Sequence, residues 1–384
     1  MTLGPLPARC EVCIVGGGIV GASVAFFLSQ AGIRDVLLLE RGRYGDGSTG
    51  RAVGGVRHQF SLAANVRLSL RSIAFYRDAQ RILGVDVELH QIGYLFLLTN
   101  PTDVAEFARA AGLQQSLGVP TVVLEPTQAR RLVPDVDLEG VLAATYCPWD
   151  GYADPGSALD GLLRGAREEG VRTYSDTPVT AINRDAGGWD LVTPGAVTRA
   201  ERVVICAGAY SRDVGALAGL DVPVLPYRRQ VYVTEPFDRL PRDMPFTIDF
   251  GTRFYIRPEP PGFLLGMDDP NEPSGWDTST TSEFLERLVD AAVARVPVLA
   301  EARVHRGWGG LYEVTPDHKP LIGATPLPGL WLCCGFSGHG FMHAPAAGMA
   351  MAELLTTGRT RDDLTDFDPG RFARGEVREE RYVI

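Results

Sequence analysis

The sequence predicts an α/β protein with a central, mostly parallel sheet and an inserted α+β region whose sheet is mostly antiparallel. Residues 11–40 open the chain with a strand, a glycine-rich turn, a helix and a second strand. Matching pieces return late, as an apolar strand at 203–205 and a glycine-rich turn before a helix at 335–340. Strand-rich stretches at 222–234 and 246–266 lie between them. The 384 residues also exceed what one compact core usually reaches.

The opening unit follows directly from local pattern. Residues 11–15 form a short apolar strand, and small and apolar residues from 22 to 31 predict a helix that ends at Gly32. Residues 35–40 read as a second buried strand. Ser29 and Gln30 interrupt the apolar run, so we predict no membrane span and no signal peptide here.

Periodicity places the remaining elements. Further helices are predicted at residues 65–83, 103–117, 125–132, 157–169, Ser282–Arg295 and 341–355. Further strands are predicted within 87–98 and at 171–174, 179–183 and 189–193. Loops are predicted at 41–57, 150–155 and 307–323, the last with a strand inside it.

Composition narrows the function. The net charge of −10 argues against a nucleic-acid partner, because phosphate binding needs a basic face. The six cysteines show neither a disulfide framework nor the spacing of a zinc site, so we expect no metal and a cytoplasmic location. Cys10 and Cys13 form a C-x-x-C pair, which we interpret as small buried apolar residues.

The motif Gly16-x-Gly18-x-x-Gly21 lies between the first strand and the first helix, where a dinucleotide site needs it. Gly16 permits the tight turn, Gly18 lets the backbone approach a pyrophosphate, and Gly21 lets the helix pack on the strand. Glu40 ends the second strand, at the distance where an acidic residue takes ribose hydroxyls.

Two features favour FAD over NAD. Ser48, Thr49 and Arg51 follow the second strand in a loop that suits an extended cofactor. The apolar strand 203–205 leads into small residues, including Ala207 and Gly208, that would close over the same nucleotide. Residues 335–343 then point backbone N–H groups at an anionic edge, such as that of a reduced flavin.

These motifs together resemble the D-amino-acid oxidase superfamily of FAD enzymes, in the branch of glycine oxidase, sarcosine oxidases and proline dehydrogenase β subunits. The resemblance is carried in family order along nearly the whole chain by Gly16, Gly18, Gly21, Glu40, 47–51, 54–60, 308–317 and 335–341.

The resemblance implies roles for individual residues. Arg57 corresponds to the arginine that pairs with the substrate carboxylate in monomeric sarcosine oxidase, and a guanidinium suits that geometry. Tyr255 corresponds to an active-site tyrosine, and Tyr312 lies where glycine oxidase has its carboxylate-binding arginine. His339 corresponds to a histidine near the flavin, and Val179 to a residue whose backbone contacts adenine.

Departures from the family pattern matter equally. Gly310 stands where monomeric sarcosine oxidase attaches FAD to a cysteine, and residues 48–55 lack the histidine that dimethylglycine dehydrogenase uses. We therefore expect non-covalent FAD. Leu264 and Met342 stand where monomeric sarcosine oxidase has its oxygen-activating lysine and a carboxylate-binding lysine, which argues against fast oxygen use and simple sarcosine specificity and suits a larger, more hydrophobic substituent on the substrate.

The expected reaction is oxidation of an amino acid, most simply an N-substituted glycine, by hydride transfer to flavin N5. The imine would hydrolyse, and O₂ would give hydrogen peroxide. One alternative is a subunit like the β chain of proline or sarcosine dehydrogenase, which passes electrons to a partner. Another is an assembly factor that holds FAD without turnover.

Two sets of residues and a domain division complete the prediction. The catalytic and substrate-binding set is Arg57, His58, Tyr255, Leu264, Tyr312, His339 and Met342. The cofactor-binding set is Gly16, Gly18, Ile19, Val20, Gly21, Glu40, Arg41, Ser48, Thr49, Arg51, Ala52, Val179, Ala207, Gly208, Gly338, His339, Gly340, Phe341 and Met342. The FAD-binding domain is expected at 1–85, 150–215 and 320–384, and the substrate-binding domain at 86–149 and 216–319.

Overall fold

The computed structural model describes residues 5–185 and 187–383. Its strands are β1 (Arg9–Val15), β2 (Val36–Leu39), β3 (Gly55–Val56), β4 (Tyr94–Leu98), β5 (Val122–Leu124), β6 (Ala143–Cys147), β7 (Gly151–Tyr152), β8 (Arg172–Tyr174), β9 (Ala181–Asp185), β10 (Gly188–Thr193), β11 (Ala196–Ile205), β12 (Leu225–Thr234), β13 (Phe246–Asp249), β14 (Phe254–Glu259), β15 (Gly262–Met267), β16 (Val304–Val314), β17 (Leu321–Ala324) and β18 (Leu330–Cys334). Its helices are α1 (Ile19–Gln30), α2 (Ala63–Arg77), α3 (Ala79–Leu83), α4 (Pro101–Ser116), α5 (Pro126–Ala129), α6 (Pro155–Glu168), α7 (Ser211–Ala216), α8 (Ser282–Arg295) and α9 (Gly340–Thr357).

The first large sheet is mostly parallel at its centre. Its strands run in the order β17-β18-β11-β1-β2-β8, and β9 and β10 extend it from β11. β1 pairs in parallel with both β2 and β11, so the strand that ends at the glycine-rich turn lies in the middle. Because parallel strands end at one edge, the turns after β1, β2 and β11 meet there.

Side-chain alternation in β1 explains the two layers of core around this sheet. Val12 and Ile14 pack into one apolar cluster with α1, α6 and α9, whereas Cys13 and Val15 face a second cluster. Cys10 and Cys13 are both buried and free, as expected of small apolar residues. A helix layer therefore covers one face of the sheet and leaves the strand ends accessible.

The second large sheet is mostly antiparallel and has the order β16-β12-β15-β14-β13-β4-β6-β5. Only the β13–β4 pair in it is parallel among the described strands. Phe284, Leu288 and Ala292 of α8 pack on one face of this sheet. The opposite face carries Tyr94, Val231 and Tyr255, among others, and turns toward the first sheet.

The α/β fold class with a mostly antiparallel second sheet is confirmed. The first sheet draws its strands from 9–39, 172–205 and 321–334, and the second draws its strands from 94–147 and 225–314. This grouping follows the expected division, but the domain boundaries themselves stay a prediction. The outermost positions of that division, residues 1–4 and 384, lie outside the described residues.

Three element predictions need correction. The expected helix at 65–83 is divided at Asp78 into α2 and α3. Within 87–98 only β4 is a named strand. The expected loop at 307–323 is mostly strand, because β16 runs through it to Val314 and β17 follows.

The glycines of β16 are the reason that a loop was predicted at 307–323. A Cβ on Gly307 would lie 2.4 Å from the Tyr232 ring, and one on Gly309 would lie 2.6 Å from the Thr278 carbonyl oxygen. These glycines therefore serve close packing within a strand, a use that sequence pattern does not separate from a loop.

Candidate active site

A cavity of about 750 Å³ runs between the two large sheets. One end is lined by the turn after β1 and the end of β2, and the other by residues of β12, β14 and β16. This volume lies within the usual range for ligand pockets. The cavity therefore connects the turn after β1 to a second wall that the antiparallel sheet provides.

The turn after β1 depends on glycine at two of its three positions. Gly16 has φ of +117°, and a Cβ there would lie 2.3 Å from the carbonyl oxygen of Cys206. A Cβ on Gly21 would lie 1.9 Å from the carbonyl oxygen of Gly16, so Gly21 supports the turn from behind. Gly16 and Gly18 line the cavity, whereas Gly21 does not.

The N-terminus of α1 faces the cavity through Ile19 and Val20. The backbone N–H of Ile19 donates to Oγ1 of Thr49 at 3.0 Å, which takes one of the helix's free donors. Helix N-termini favour anionic groups because their N–H groups and dipole point outward. A diphosphate fits this position, and the glycines leave it room.

Glu40 is fixed at the end of β2 by two backbone donors. Gly17 N–H donates to its Oε2 at 2.7 Å, and Gly42 N–H donates to its Oε1 at 2.9 Å. A carboxylate has further lone pairs, so it can still accept hydrogen bonds from ribose hydroxyls.

The wall beside Glu40 closes the nucleotide end. Arg41, Val179, Ala207 and Gly208 all line it, as expected. The Arg41 guanidinium lies 3.5 Å from the centroid of the Tyr210 ring, and Tyr210 stacks on Trp276 at 4.3 Å. Tyr210 and Trp276 line the cavity too and were not predicted: Tyr210 follows the small residues 207–209 as a bulky ring, and Trp276 lies far from any recognised motif.

The loop after β2 joins the two sheets along the cavity. Ser48 Oγ donates to the carbonyl of Leu311 at 2.6 Å, and Arg51 Nη1 donates to the carbonyl of Gly309 at 2.8 Å. Trp308 Nε1 in turn donates to the Arg51 carbonyl at 3.0 Å. Ser48, Thr49, Arg51 and Ala52 therefore line the middle of the cavity from a loop that β16 holds.

The turn before α9 and the first residues of α9 close the cavity from the other side, with Gly338, His339, Gly340, Phe341 and Met342. Gly338 has φ of +93°, and a Cβ there would lie 2.4 Å from the Tyr312 ring. Glycine at this position therefore permits both the turn and the close approach of Tyr312. The structure thus brings together residues 338–342, which were expected beside the flavin, and Tyr312, which was expected beside the substrate.

Glu313 lies in the same wall and was missed in the sequence. Its Oε2 accepts from Gly335 N–H at 2.8 Å. Burial raises the pKa of Glu313 to about 7, although the N–H groups of Gly335 and Phe336 oppose the rise. A buried carboxyl thus lines the cavity between the ends of β11 and β18.

Tyr255 and Tyr312 both line the substrate-domain wall, beside Arg229. Burial raises the pKa of each hydroxyl, so both tyrosines stay protonated and can donate hydrogen bonds. Arg229 was not predicted, because Arg228 and Arg229 are adjacent and the sequence alone does not show which side chain faces the cavity.

Arg57 is buried in the cavity wall, and its guanidinium already has partners. Nη1 donates to the carbonyl of Gln59, and Nη2 donates to the carbonyl of Tyr382. Nη2 also lies 3.2 Å from Nε2 of His339. Since arginine only donates, His339 must accept at Nε2 and carry its proton on Nδ1. Burial, followed by the Arg57 charge, lowers the pKa of His339, which keeps it neutral.

The segment 380–383 folds back over Arg57. The Glu380 carboxylate accepts from Ser61 Oγ at 2.6 Å and from Asn65 Nδ2 at 2.8 Å. The Tyr382 ring stacks on Phe107 with 3.9 Å between centroids. This segment therefore ties the start of α2 to the layer beside the second sheet.

Two expected substrate residues do not line this cavity. His58 is buried, and its Nδ1 lies 2.7 Å from Asp150 Oδ1. Leu264 pairs with Val233 and Arg257 in the second sheet and borders a separate surface pocket. Leu264 lies on the same face of the sheet as Val231 and Tyr255 but farther along it, and His58 is held by Asp150, so neither belongs to the proposed substrate pocket.

His58, Cys147 and Asp150 form the one group of metal-ligating side chains found among the described residues, with ligand atoms within 4.8 Å of one another. Asp150 already accepts from the backbone N–H of His58 at 2.8 Å and from Gln59 Nε2 at 3.2 Å. Burial keeps the Cys147 thiol protonated by raising its pKa. The group is thus accounted for by internal hydrogen bonds, and we build no metal site on it.

A glycine-rich turn, a fixed ribose-type carboxylate and a long cavity closed by a second sheet together define a two-domain nucleotide-dependent oxidoreductase. The chain belongs to the DAO family of FAD dependent oxidoreductases, whose model matches residues 11–354. The expected superfamily is thereby confirmed, and FAD is the family's cofactor. The glycines, the α1 N-terminus and Glu40 fit its ADP half.

Relatives agree with this assignment. The chain is 33% identical over 390 residues to mitochondrial dimethylglycine dehydrogenase of Rattus norvegicus, covering 95% of this chain and 45% of that protein. The chain thus spans less than half the length of this relative.

Solved structures match over their whole length. L-proline dehydrogenase from P. horikoshii superposes with a TM-score of 0.91 at 34% identity, covering 97% of this chain and 100% of that one. Glycine oxidase from Geobacillus kaustophilus gives a TM-score of 0.84 at 27% identity, covering 95% and 99%. Among the described residues, no helix is both long and apolar enough to cross a membrane.

Proposed function

We propose that this chain uses FAD to oxidise the C–N bond of an amino acid whose nitrogen carries an alkyl group, such as an N-methylated glycine. The observation that carries the proposal is one continuous cavity that joins the nucleotide turn to a wall with Arg229, Tyr255 and Tyr312. The relatives named for dimethylglycine, proline and glycine support the substrate class.

The protein's part in the reaction is to bind and orient. Bound FAD would accept the hydride and pass the electrons on. The cavity wall would hold the substrate carboxylate on a cationic side chain, and its protonated tyrosines would donate hydrogen bonds. Arg57 is the sequence candidate for that cation. His339 is an unsuitable base here, because Arg57 occupies its acceptor nitrogen. The substrate amine would therefore enter deprotonated, and the imine product would hydrolyse in water.

Met342 supports an alkylated nitrogen. It is buried and apolar, and it lines the cavity next to the turn before α9. Burying one methyl or methylene group is worth about 0.8 kcal/mol, so an N-methyl group against this side chain would gain affinity.

We also propose that FAD is held without a covalent bond. Gly310, at the position implied for a cysteine link, offers no nucleophile. Cys333 lines the cavity, but burial raises the pKa of its thiol, which disfavours the nucleophilic thiolate. The six free, buried cysteines suit a reducing compartment such as the cytoplasm, which stays a proposal.

Anaerobic titration of the purified holoprotein tests the function. The panel is dimethylglycine, sarcosine, glycine, proline and D-alanine, and the readout is loss of the visible absorption band of oxidised flavin. We expect bleaching by at least one N-alkylated amino acid and stronger bleaching than by glycine. Photoreduction of the flavin without bleaching by any amine would contradict the proposal and favour an assembly factor.

A second candidate is a dehydrogenase that passes electrons to a protein partner instead of O₂. The 0.91 TM-score to a proline dehydrogenase favours it. The two candidates differ in the reoxidation step. Rapid recovery of the oxidised band in air with stoichiometric hydrogen peroxide indicates an oxidase. Slow recovery in air and fast recovery with an artificial dye indicate a dehydrogenase.

A further inference from the structure

Arg229 enters the cavity from the middle of β12. In the β12–β16 ladder it lies opposite Gly310, and Tyr227 lies opposite Tyr312. Cross-strand neighbours share a face of the sheet, so Arg229 projects over Gly310 and toward Tyr312. Gly310 carries no side chain, and the nearest neighbour of a Cβ there would be Cβ of Arg51 at 3.1 Å.

Among the residues that the structure describes, the contacts of Arg229 leave N–H donors unused. Its Nη1 donates to the carbonyl of Arg228 at 2.9 Å, and its Nη2 lies 2.7 Å from Oδ1 of Asp268. Each terminal nitrogen carries two protons, so one proton on each remains beyond these two contacts. The side chain keeps 16% of its surface exposed, and it lines the cavity.

Arg229 also acts on both tyrosines of the wall. Its guanidinium carbon lies 5.1 Å from the centroid of the Tyr312 ring. Its charge opposes the rise that burial causes in the pKa of Tyr255 and of Tyr312. One cation and two hydroxyl-bearing rings therefore converge on the same part of the cavity.

Arg57 is less suited to take a carboxylate. A guanidinium holds a carboxylate by two N–H groups along one of two edges, Nε with Nη2 or Nη1 with Nη2, and both edges need Nη2. In Arg57, Nη2 already serves the carbonyl of Tyr382 and Nε2 of His339. A substrate would have to displace one of these partners.

We propose that Arg229, beside Tyr255 and Tyr312, binds the carboxylate of the substrate, and that Arg57 holds the segment 380–383 and His339 in place. This inference rests on the proposed function, because it names the group that selects the substrate's acid end. Arg229 of the second sheet would then select the substrate, and Arg57, which lies before α2, would only position its neighbours.

The competing explanation is that Arg229 serves only as the partner of Asp268. Arg228 gives a matched control for that explanation. It is the neighbouring residue on the same strand, pairs with Glu272 at 3.0 Å, and keeps a similar 13% of its side-chain surface exposed. It does not line the cavity. Loss of a surface ion pair should therefore affect both variants, whereas loss of carboxylate binding should affect only one.

The experiment titrates two probes into the holoprotein and follows the flavin absorption spectrum. Methoxyacetate has the size of sarcosine and the charge of its amine-deprotonated form but no oxidisable amine, and methoxyacetamide is its uncharged counterpart. Wild type should bind the acid more tightly than the amide. Arg229→Met should bind the acid roughly 10- to 100-fold more weakly, since hydrogen bonds to charged groups contribute about that much, and should bind the amide unchanged. Arg228→Met should match wild type for both probes.

Further variants keep the outcome decisive. Arg229→Lys keeps the charge and the Asp268 pair, so it should fold if Arg229→Met does not, and it should still lose acid binding because it lacks the planar fork. Arg57→Met should keep the preference for acid over amide. The proposal is overturned if Arg229→Met or Arg229→Lys keeps wild-type acid binding, if Arg57→Met alone abolishes the preference, or if wild type shows no preference.

These readouts separate the two proposals. Failure of every amine to bleach the flavin would refute the proposed function, whatever the probes show. Bleaching by an amine with unchanged acid binding in the Arg229 variants would refute only the inference.

Discussion

Glu313 offers a pH-dependent test of the cavity wall. Its carboxyl has an ordinary pKa of 4.5, and burial raises that pKa to about 7 in the folded protein. It lies near the thiols of Cys333 and Cys334, whose own pKa values its charge helps to raise. The perturbation is Glu313→Gln, which keeps an oxygen acceptor for Gly335 N–H and removes the titration.

The sign follows from proton binding. Between pH 4.5 and about 7 the unfolded chain has lost the Glu313 proton and the folded chain has kept it, so unfolding releases a proton. The wild type therefore loses stability as the pH rises through this window, and the loss is complete above the folded pKa. The difference between the two pKa values corresponds to about 3 kcal/mol.

The assay is urea unfolding of the holoprotein, followed by tryptophan fluorescence, at several pH values from about 5 to about 8. The advantage of Glu313→Gln over wild type should grow across this range by up to about 3 kcal/mol. Asp185→Asn is the control: Asp185 has its pKa lowered to about 2 by Arg199, so its titration lies below the window. A constant difference between Glu313→Gln and wild type would refute a raised pKa.

Three further predictions concern the cofactor and the turns around it. Gly16→Ala combines a φ of +117° with a Cβ 2.3 Å from a backbone oxygen, and it should lower the free energy of unfolding, measured in urea, by about 2–6 kcal/mol. Gly32→Ala has a φ of +90° but open space, and it should lower that free energy by only about 1–3 kcal/mol. Equal losses would contradict a steric clash at Gly16. Gly338→Ala should push against the Tyr312 ring and slow flavin reduction by substrate when the rate is measured per bound FAD, and an unchanged rate would contradict the contact. Acid precipitation should leave all FAD in the supernatant, and a yellow pellet after washing would contradict non-covalent binding.

The nucleotide half of the site could be predicted from the sequence because its signals are local. Gly16, Gly21 and Glu40 lie within one strand-helix-strand unit, and each residue's spacing fixes its place on that unit. The same holds for Ser282–Arg295, where Thr281 caps the helix by accepting from Phe284 N–H at 3.4 Å.

The substrate half could not be predicted in the same way. Which residues of the second sheet border the cavity depends on how strands from distant parts of the chain pair along their length. One residue of slip reverses the face, and periodicity alone does not set the register. The resemblance pointed to Leu264, which lies on the same face but farther along the sheet, beside Val233 and a second pocket, whereas Arg229 lines the cavity.

The role of Arg57 shows a different limit. The sequence correctly singled out a cavity residue, yet the partners of its guanidinium come from Gln59, His339 and Tyr382. Tyr382 lies 325 positions away in the sequence, so no local pattern could reveal that contact.

The most direct test of the account is single-turnover reduction of the bound flavin under anaerobic conditions, with dimethylglycine and with its counterpart deuterated at the carbons attached to nitrogen. The substrate should bleach the flavin at a saturable rate, and deuterium should slow this rate several-fold, because a C–H bond next to nitrogen breaks in that step. If no N-alkylated amino acid on the panel reduces the flavin, or if reduction shows no isotope effect and yields no carbonyl product, the central claim of C–N bond oxidation is wrong.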